Sequence, residues 1–132
     1  MKIMLKLHGE ILPPSMIKLG YSSQVILGLD ADTLYVVYGI SIWRDVIHYL
    51  IIPSDYTLPF WFPADLFDVV EKKMPCNWYF RYMGGENPNE LKMIIGYKEM
   101  VLDKTHYFDL IERETCAVRT FLTQKKEIDE IS

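Results

Sequence analysis

An α+β fold, an antiparallel β-meander with helices packed on one face and two short helices at the C-terminus, follows from three features of this 132-residue chain. The first half is a series of short runs rich in Val, Ile, Leu and Tyr, each ended by turn residues, as in antiparallel strands. The last third changes to apolar spacings of three and four, the period of a helix. The order of elements, meander, helix, hairpin and helix pair, fits helices gathered on one side of an antiparallel sheet.

Lys2 to Leu7 sets Lys2, Met4 and Lys6 against Ile3, Leu5 and Leu7, the alternation of a strand with one wet face. Pro13-Pro14 then removes two backbone donors and breaks the run. Gln24–Leu29 and Thr33–Ile42 predict a hairpin across Asp30-Ala31-Asp32. Trp43-Arg44-Asp45 leads into a third run, Val46–Ile52, ended by Pro53-Ser54-Asp55. Tyr56–Phe62 reads as a short edge strand or an aromatic loop. Pro63 suits the first turn of a helix, and Leu66, Phe67, Val70 and Met74 recur at helical spacing opposite Asp65, Asp68, Glu71 and Lys72. The spacing predicts a helix here, ended by Pro75.

Asn77–Met83 returns to a strand, and the segment from Gly84 to Asn89 carries the densest turn signal in the chain. Leu91, Met93 and Ile95 then alternate with Lys92, Ile94 and Gly96. Tyr107, Leu110 and Ile111 form one helical stripe and Ala117, Val118, Phe121 and Leu122 a second, separated near Glu114-Thr115. Thr115 is the expected N-cap of the last helix, with Asp103 or Thr105 capping the one before. The polar tail from Lys125 is expected to fray.

The length is that of one domain, residues 1–132. Half the residues are apolar and 14% are aromatic, enough for a core and unlike the composition of disordered chains. The net charge of −4 argues against a nucleic-acid partner, because phosphate binding needs clustered Lys and Arg, and the densest basic patches are the pairs Lys72-Lys73 and Lys125-Lys126. Thr33–Trp43 is far shorter than the roughly 20 apolar residues that span a bilayer, so no membrane association is expected. Cys76 and Cys116 lack metal or redox spacing, and no secretory leader precedes them, which predicts free thiols and a cytoplasmic location.

No motif specifies catalysis, cofactor binding or metal binding. His8, His48 and His106 stand in separate elements with no HxxxH spacing, and each reads as structural or solvated. Cys76 with His48, or Cys116 with His106, would make a nucleophile and base only if the fold brought them together. Asp30/Asp32, Asp65/Asp68 and Glu112/Glu114 are paired carboxylates whose simplest role is solvated charge. The pair Gly84-Gly85 fits a hairpin better than a phosphate cradle, for want of a following helix N-terminus.

The aromatic surplus points to recognition. Tyr, Trp, Met and Arg are enriched at the cores of protein interfaces. If Trp78, Phe80 and Tyr82 face inward, Tyr79, Arg81 and Met83 share an outer face. Those three, with Trp43, Arg44 and Asp45 at the first turn of the meander, are the expected partner-binding residues. The competing reading is a strand covered on both faces.

One stretch carries a resemblance. Gly96-Tyr97-Lys98-Glu99-Met100-Val101, then His106 to Glu114, then Ala117 to Lys126, resembles the closing segment of small α+β immunity proteins from bacterial polymorphic and contact-dependent toxin systems. That resemblance implies an intracellular antidote that occludes a toxin by tight binding, and it carries over no site residue. The readings set beside it are a small-molecule-binding or enzymatic domain using Cys76, His48 and an acid, and a phage or mobile-element subunit. A second copy of the chain is an alternative protein partner.

Overall fold

A computed structural model describes residues 1–6, 28–84 and 89–131. The tandem prolines, most of the Gln24–Leu29 run, His8 and the centre of the Gly84–Asn89 turn lie outside the described residues. Among those described, eight strands form two antiparallel sheets, and three helices follow. The strands are β1 (Lys2–Leu5), β2 (Leu34–Val36), β3 (Gly39–Trp43), β4 (Val46–Ile51), β5 (Phe60–Pro63), β6 (Phe67–Glu71), β7 (Tyr79–Tyr82) and β8 (Leu91–Gly96). The helices are α1 (Lys98–Leu102), α2 (His106–Ile111) and α3 (Thr115–Ile131). The small sheet has the order β2-β1-β6 and the large one β5-β4-β3-β8-β7.

The α+β class stands, with two sheets where one was expected. The expected strand Thr33–Ile42 is two strands, one in each sheet. Val37 N–H donates to Met1 O at 3.0 Å and the next residue, Tyr38, donates to Leu50 O at 2.8 Å, so the backbone changes partners between adjacent residues. Strand alternation sends the two side chains to opposite faces, and each is buried in a different apolar cluster.

The second crossing corrects the expected first helix. Ala64–Leu66 is a single 3₁₀ turn, and Phe67–Glu71 is a strand paired with β1, Ile3 opposite Val69 and Leu5 opposite Phe67. Phe67, Val70 and Met74 satisfy a helical period, but adjacent Val69 and Val70 are β-branched and favour extended backbone. Pairing with β1 gives their backbone groups partners and buries Phe67, while Val70 is left exposed.

The large sheet is the middle layer. On one side the small sheet packs against it, joining Ile3, Tyr35 and Phe67 to Ile40, Ile51 and Phe62 in one cluster. On the other side the helices cover Leu50, Ile94 and Tyr97 with Met100, Leu110 and Phe121. Strand β8 supplies both sides through a bulge: Ile42 faces Met93 and Trp43 faces Leu91, leaving Lys92 extra. Leu91 and Ile94 therefore both pack under the helices, whereas Met93 and Ile95 point to the small sheet.

The last helix is long, 17 residues, and its tail is anchored. Ile128 lies seven residues beyond Phe121 on the buried stripe. Tyr38 Oη donates to Asp129 Oδ1 at 2.7 Å, and Lys125 Nζ bridges to Asp129 Oδ2 at 2.6 Å. Burial, and then the bond to Asp129, push the Tyr38 phenol pKa up, so it stays a donor. Phe121 meets the Tyr38 ring edge-on at 5.4 Å. Thr115 is the first helical residue instead of the cap; the preceding Glu114 accepts from Val118 N–H at 3.0 Å.

Candidate functional site

The six residues expected to bind a partner fall in two places. Arg44 and Asp45 form the two-residue tip of the β3–β4 hairpin, both at positive φ (50° and 63°), as a type I′ turn requires. Left-handed backbone is strained for arginine, and the tip is held by side chains. Arg44 Nε pairs with Glu90 Oε2 at 2.6 Å and its guanidinium stacks 4.5 Å over Trp43. Asp45 pairs with Lys92, and Trp43 Nε1 donates to Asn89 O at 3.2 Å. These charges fasten the hairpin to β8.

Strand β7 is an edge of the large sheet, but its facing is the reverse of the sequence expectation. Tyr79 and Arg81 lie opposite Gly96 and Ile94 and so share the helix side, where Tyr79 lines a groove with Glu99 and Gln124. Arg81 is half-buried and donates to Met83 Sδ at 3.3 Å. Phe80 and Tyr82, expected inside, lie opposite Ile95 and Met93 on the small-sheet side and are each 63% exposed. The small sheet stops short of them.

Register extends this uncovered area across the sheet. Tyr82 pairs with Met93, Met93 with Ile42 and Ile42 with Ile47, so one row of four side chains crosses four strands on one face. Ile47 is 46% exposed, Ile42 and Met93 are half-buried, and Phe80 adjoins the row through Ile95. The sequence hid this row because Trp78, Tyr79, Phe80 and Tyr82 are all aromatic, so β7 shows no polar alternation from which to read its phase.

On the opposite face of the same sheet, β4, β5 and α2 enclose a cavity of about 420 Å³. Its walls include Trp43, His48, Trp61, Tyr107 and Phe108, with Arg113 beside it. Gly39 makes room for one wall, since a Cβ there would stand 3.2 Å from the far end of the Trp61 ring. Trp61 and Tyr107 lie with centroids 5.0 Å apart.

Cys76 and Cys116 are exposed. Cys76 lines grooves that do not include His48, and His106 is turned to Tyr97, whose hydroxyl lies 2.6 Å from His106 Nε2. Neither thiol–imidazole pair assembles. The three carboxylate pairs are all exposed, and among the described residues no group of three or more His, Cys, Asp or Glu is placed to hold a metal. No helix among the described residues is long and apolar enough to cross a membrane.

Comparison of the chain with protein-family models, curated proteins and solved structures returns no match.

Proposed function

We propose that this chain acts by binding another protein through the uncovered end of its large sheet, with Phe80, Tyr82, Met93, Ile42 and Ile47 as the contact row. The observation that carries the reading is the exposure of this contiguous aromatic and aliphatic row, when the rest of the same face is packed under the small sheet. Exposed apolar patches of this kind mark interaction surfaces, and Tyr, Phe and Met are the side chains interfaces favour. The net charge of −4 favours a basic partner by speeding encounter. Arg44–Glu90 and Asp45–Lys92 rim the row with charge that is already paired.

The particular form of this reading is an immunity protein, working in the cytoplasm, that holds a cognate bacterial toxin domain inactive. The resemblance of the C-terminal segment supports it, and so does the suitability of a binding face without catalytic groups. Much of that segment is core: Tyr97, Met100, His106, Tyr107, Leu110 and Phe121 are buried. The resemblance is therefore one of packing pattern, and the row on the opposite face would carry the specificity.

The test is co-purification of the tagged protein with the product of the adjacent reading frame, beside the double variant Phe80→Ser/Tyr82→Ser. A stoichiometric partner that is toxic alone, is neutralised by the wild type and is lost by the double variant is the expected result. A partner retained by the variant would remove the row from the interface. Elution as a dimer that the variant dissociates would replace the toxin with a second copy of this chain.

A further inference from the structure

The cavity between the large sheet and α2 is independent of that binding row, lying on the other face of the sheet. Three buried side-chain nitrogens have no hydrogen-bond partner among the described residues, and two of them, His48 Nε2 and Trp61 Nε1, belong to residues of this one cavity. Native interiors leave few polar atoms unpaired, so two in the walls of one aromatic cavity point to a ligand that supplies their partners.

The donor and acceptor roles can be assigned. His48 is 2% exposed, and its Nδ1 lies 2.9 Å from Val46 O, a carbonyl that can only accept. The proton is therefore on Nδ1, and Nε2 is left as an acceptor. Burial lowers the His48 pKa and keeps the ring in this neutral form. Trp61 Nε1 can only donate. The cavity thus offers one acceptor and one donor between flat rings.

Arg113 adds a cation. Its backbone is left-handed (φ 61°), which turns the side chain back across β5. There Nη2 donates to Pro59 O at 2.6 Å, Nη1 to Leu110 O at 3.1 Å, and the guanidinium sits 4.7 Å over Phe60. Carbonyls and a ring face fix its position without neutralising it, and among the described residues no carboxylate pairs with it. The larger groove beside α3, about 930 Å³, differs on this point: its Tyr38, Lys125 and Asp129 are already bonded to one another.

We infer that the cavity binds a small flat aromatic acid, with a hydroxyl or ring N–H donating to His48, the ring system between Trp61, Tyr107 and Phe108, and the carboxylate on Arg113. No bond is made or broken; the site is for binding. Entry to His48 Nε2 requires Trp43, whose ring stands edge-on to the imidazole at 5.6 Å, to turn aside.

The test uses three probes on the full chain: 6-hydroxy-2-naphthoate, 2-naphthoate without the hydroxyl, and 2-naphthol without the carboxylate. Binding is followed by NMR at the indole N–H of Trp61. Expected is a saturable shift with 6-hydroxy-2-naphthoate and roughly tenfold or greater weakening on removing either polar group, the scale of a hydrogen bond to a charged or buried partner. Arg113→Met should abolish the advantage of the acid over 2-naphthol. Because Arg113 also holds Pro59 and Leu110, the comparison of probes on the wild type stands if that variant fails to fold. No saturable shift at Trp61 with any probe, or equal affinity for all three, overturns the proposal.

Discussion

The two faces of the large sheet are built from similar residues and end in different states. On the helix side, three helices close over β3, β4 and β8, and contacts reach from Tyr38 to Asp129 near the chain's end. On the other side, a three-stranded sheet covers Ile40, Ile51 and Phe62 but leaves Ile47, Phe80 and Tyr82 exposed. Apolar content does not separate the two, since both faces carry aromatic and branched side chains. Span does: a 17-residue helix can cross several strands, whereas β2, β1 and β6 have three, four and five residues. A small sheet folded over a larger one leaves a margin, and a margin of aromatic side chains is a place to bind.

The largest effect should come from the closed face. Phe121 is fully buried between Tyr38 and the helix cluster. Phe121→Ala should cost about 3–5 kcal/mol, the range for large core aromatics, measured by urea unfolding. A loss below about 1 kcal/mol, an ordinary surface value, would mean that α3 does not seal this face.

Such contrasts show why part of the fold could be read from the chain and part could not. Strands β1, β3, β4, β7 and β8 and the three helical stretches announce themselves by local period and turn chemistry, because those signals span fewer than ten residues each. The sheet-to-sheet crossings do not. Val37 and Tyr38 look like the middle of one strand, and only the positions of Met1 and Leu50 decide that they part company. Phe67–Glu71 carried a helical spacing that pairing with β1 overrode. At the C-terminus, the polarity of Lys125 to Glu130 concealed Ile128, whose place on the Phe121 stripe was a usable signal. The binding row and the cavity were illegible for a common reason. Ile47 and Tyr82, or His48, Trp61 and Arg113, meet only through strand register, and register is a property of pairs.

A second effect, smaller and graded, should follow acid. Both described histidines are buried on the helix side, and burial is the leading cause that lowers each pKa; for His106 the nearby Asp103, Glu99 and Asp109 oppose it. Tyr97, its pKa raised by burial and then by Glu99, keeps its proton and donates to His106 Nε2. The folded protein therefore resists protonation that the unfolded chain accepts near the ordinary value of about 6.5. The stability these groups contribute is complete above that pH and is lost as pH falls through their folded values. The midpoint of thermal unfolding should be flat above about pH 7, on the basis of that reference value, and fall below it. His106→Gln should shallow the slope by removing one of the two groups. A midpoint unchanged down to pH 5 would mean that neither imidazole is excluded from protons, and the closed face would be less closed than its packing indicates.

The smallest effect on stability is expected where the effect on binding is greatest. Phe80 and Tyr82 leave most of their surface to solvent and make no printed ring or hydrogen-bond contact on their own face, so Phe80→Ser and Tyr82→Ser remove little that folding had buried. Each should shift stability by no more than about 0.5 kcal/mol, the usual limit for surface positions, with a small strand-propensity loss included. Tyr79→Ala and Arg81→Ala test the same strand from its other side, where Tyr79 meets the groove beside α1 and α3 and Arg81 meets Met83. The helix-side pair should therefore cost more stability than the exposed pair while leaving partner binding nearly intact. The reverse pattern, destabilisation at Phe80 and Tyr82 with binding lost at Tyr79 and Arg81, would mean that β7 presents its other face in solution and would move the interface to the helix side of the sheet.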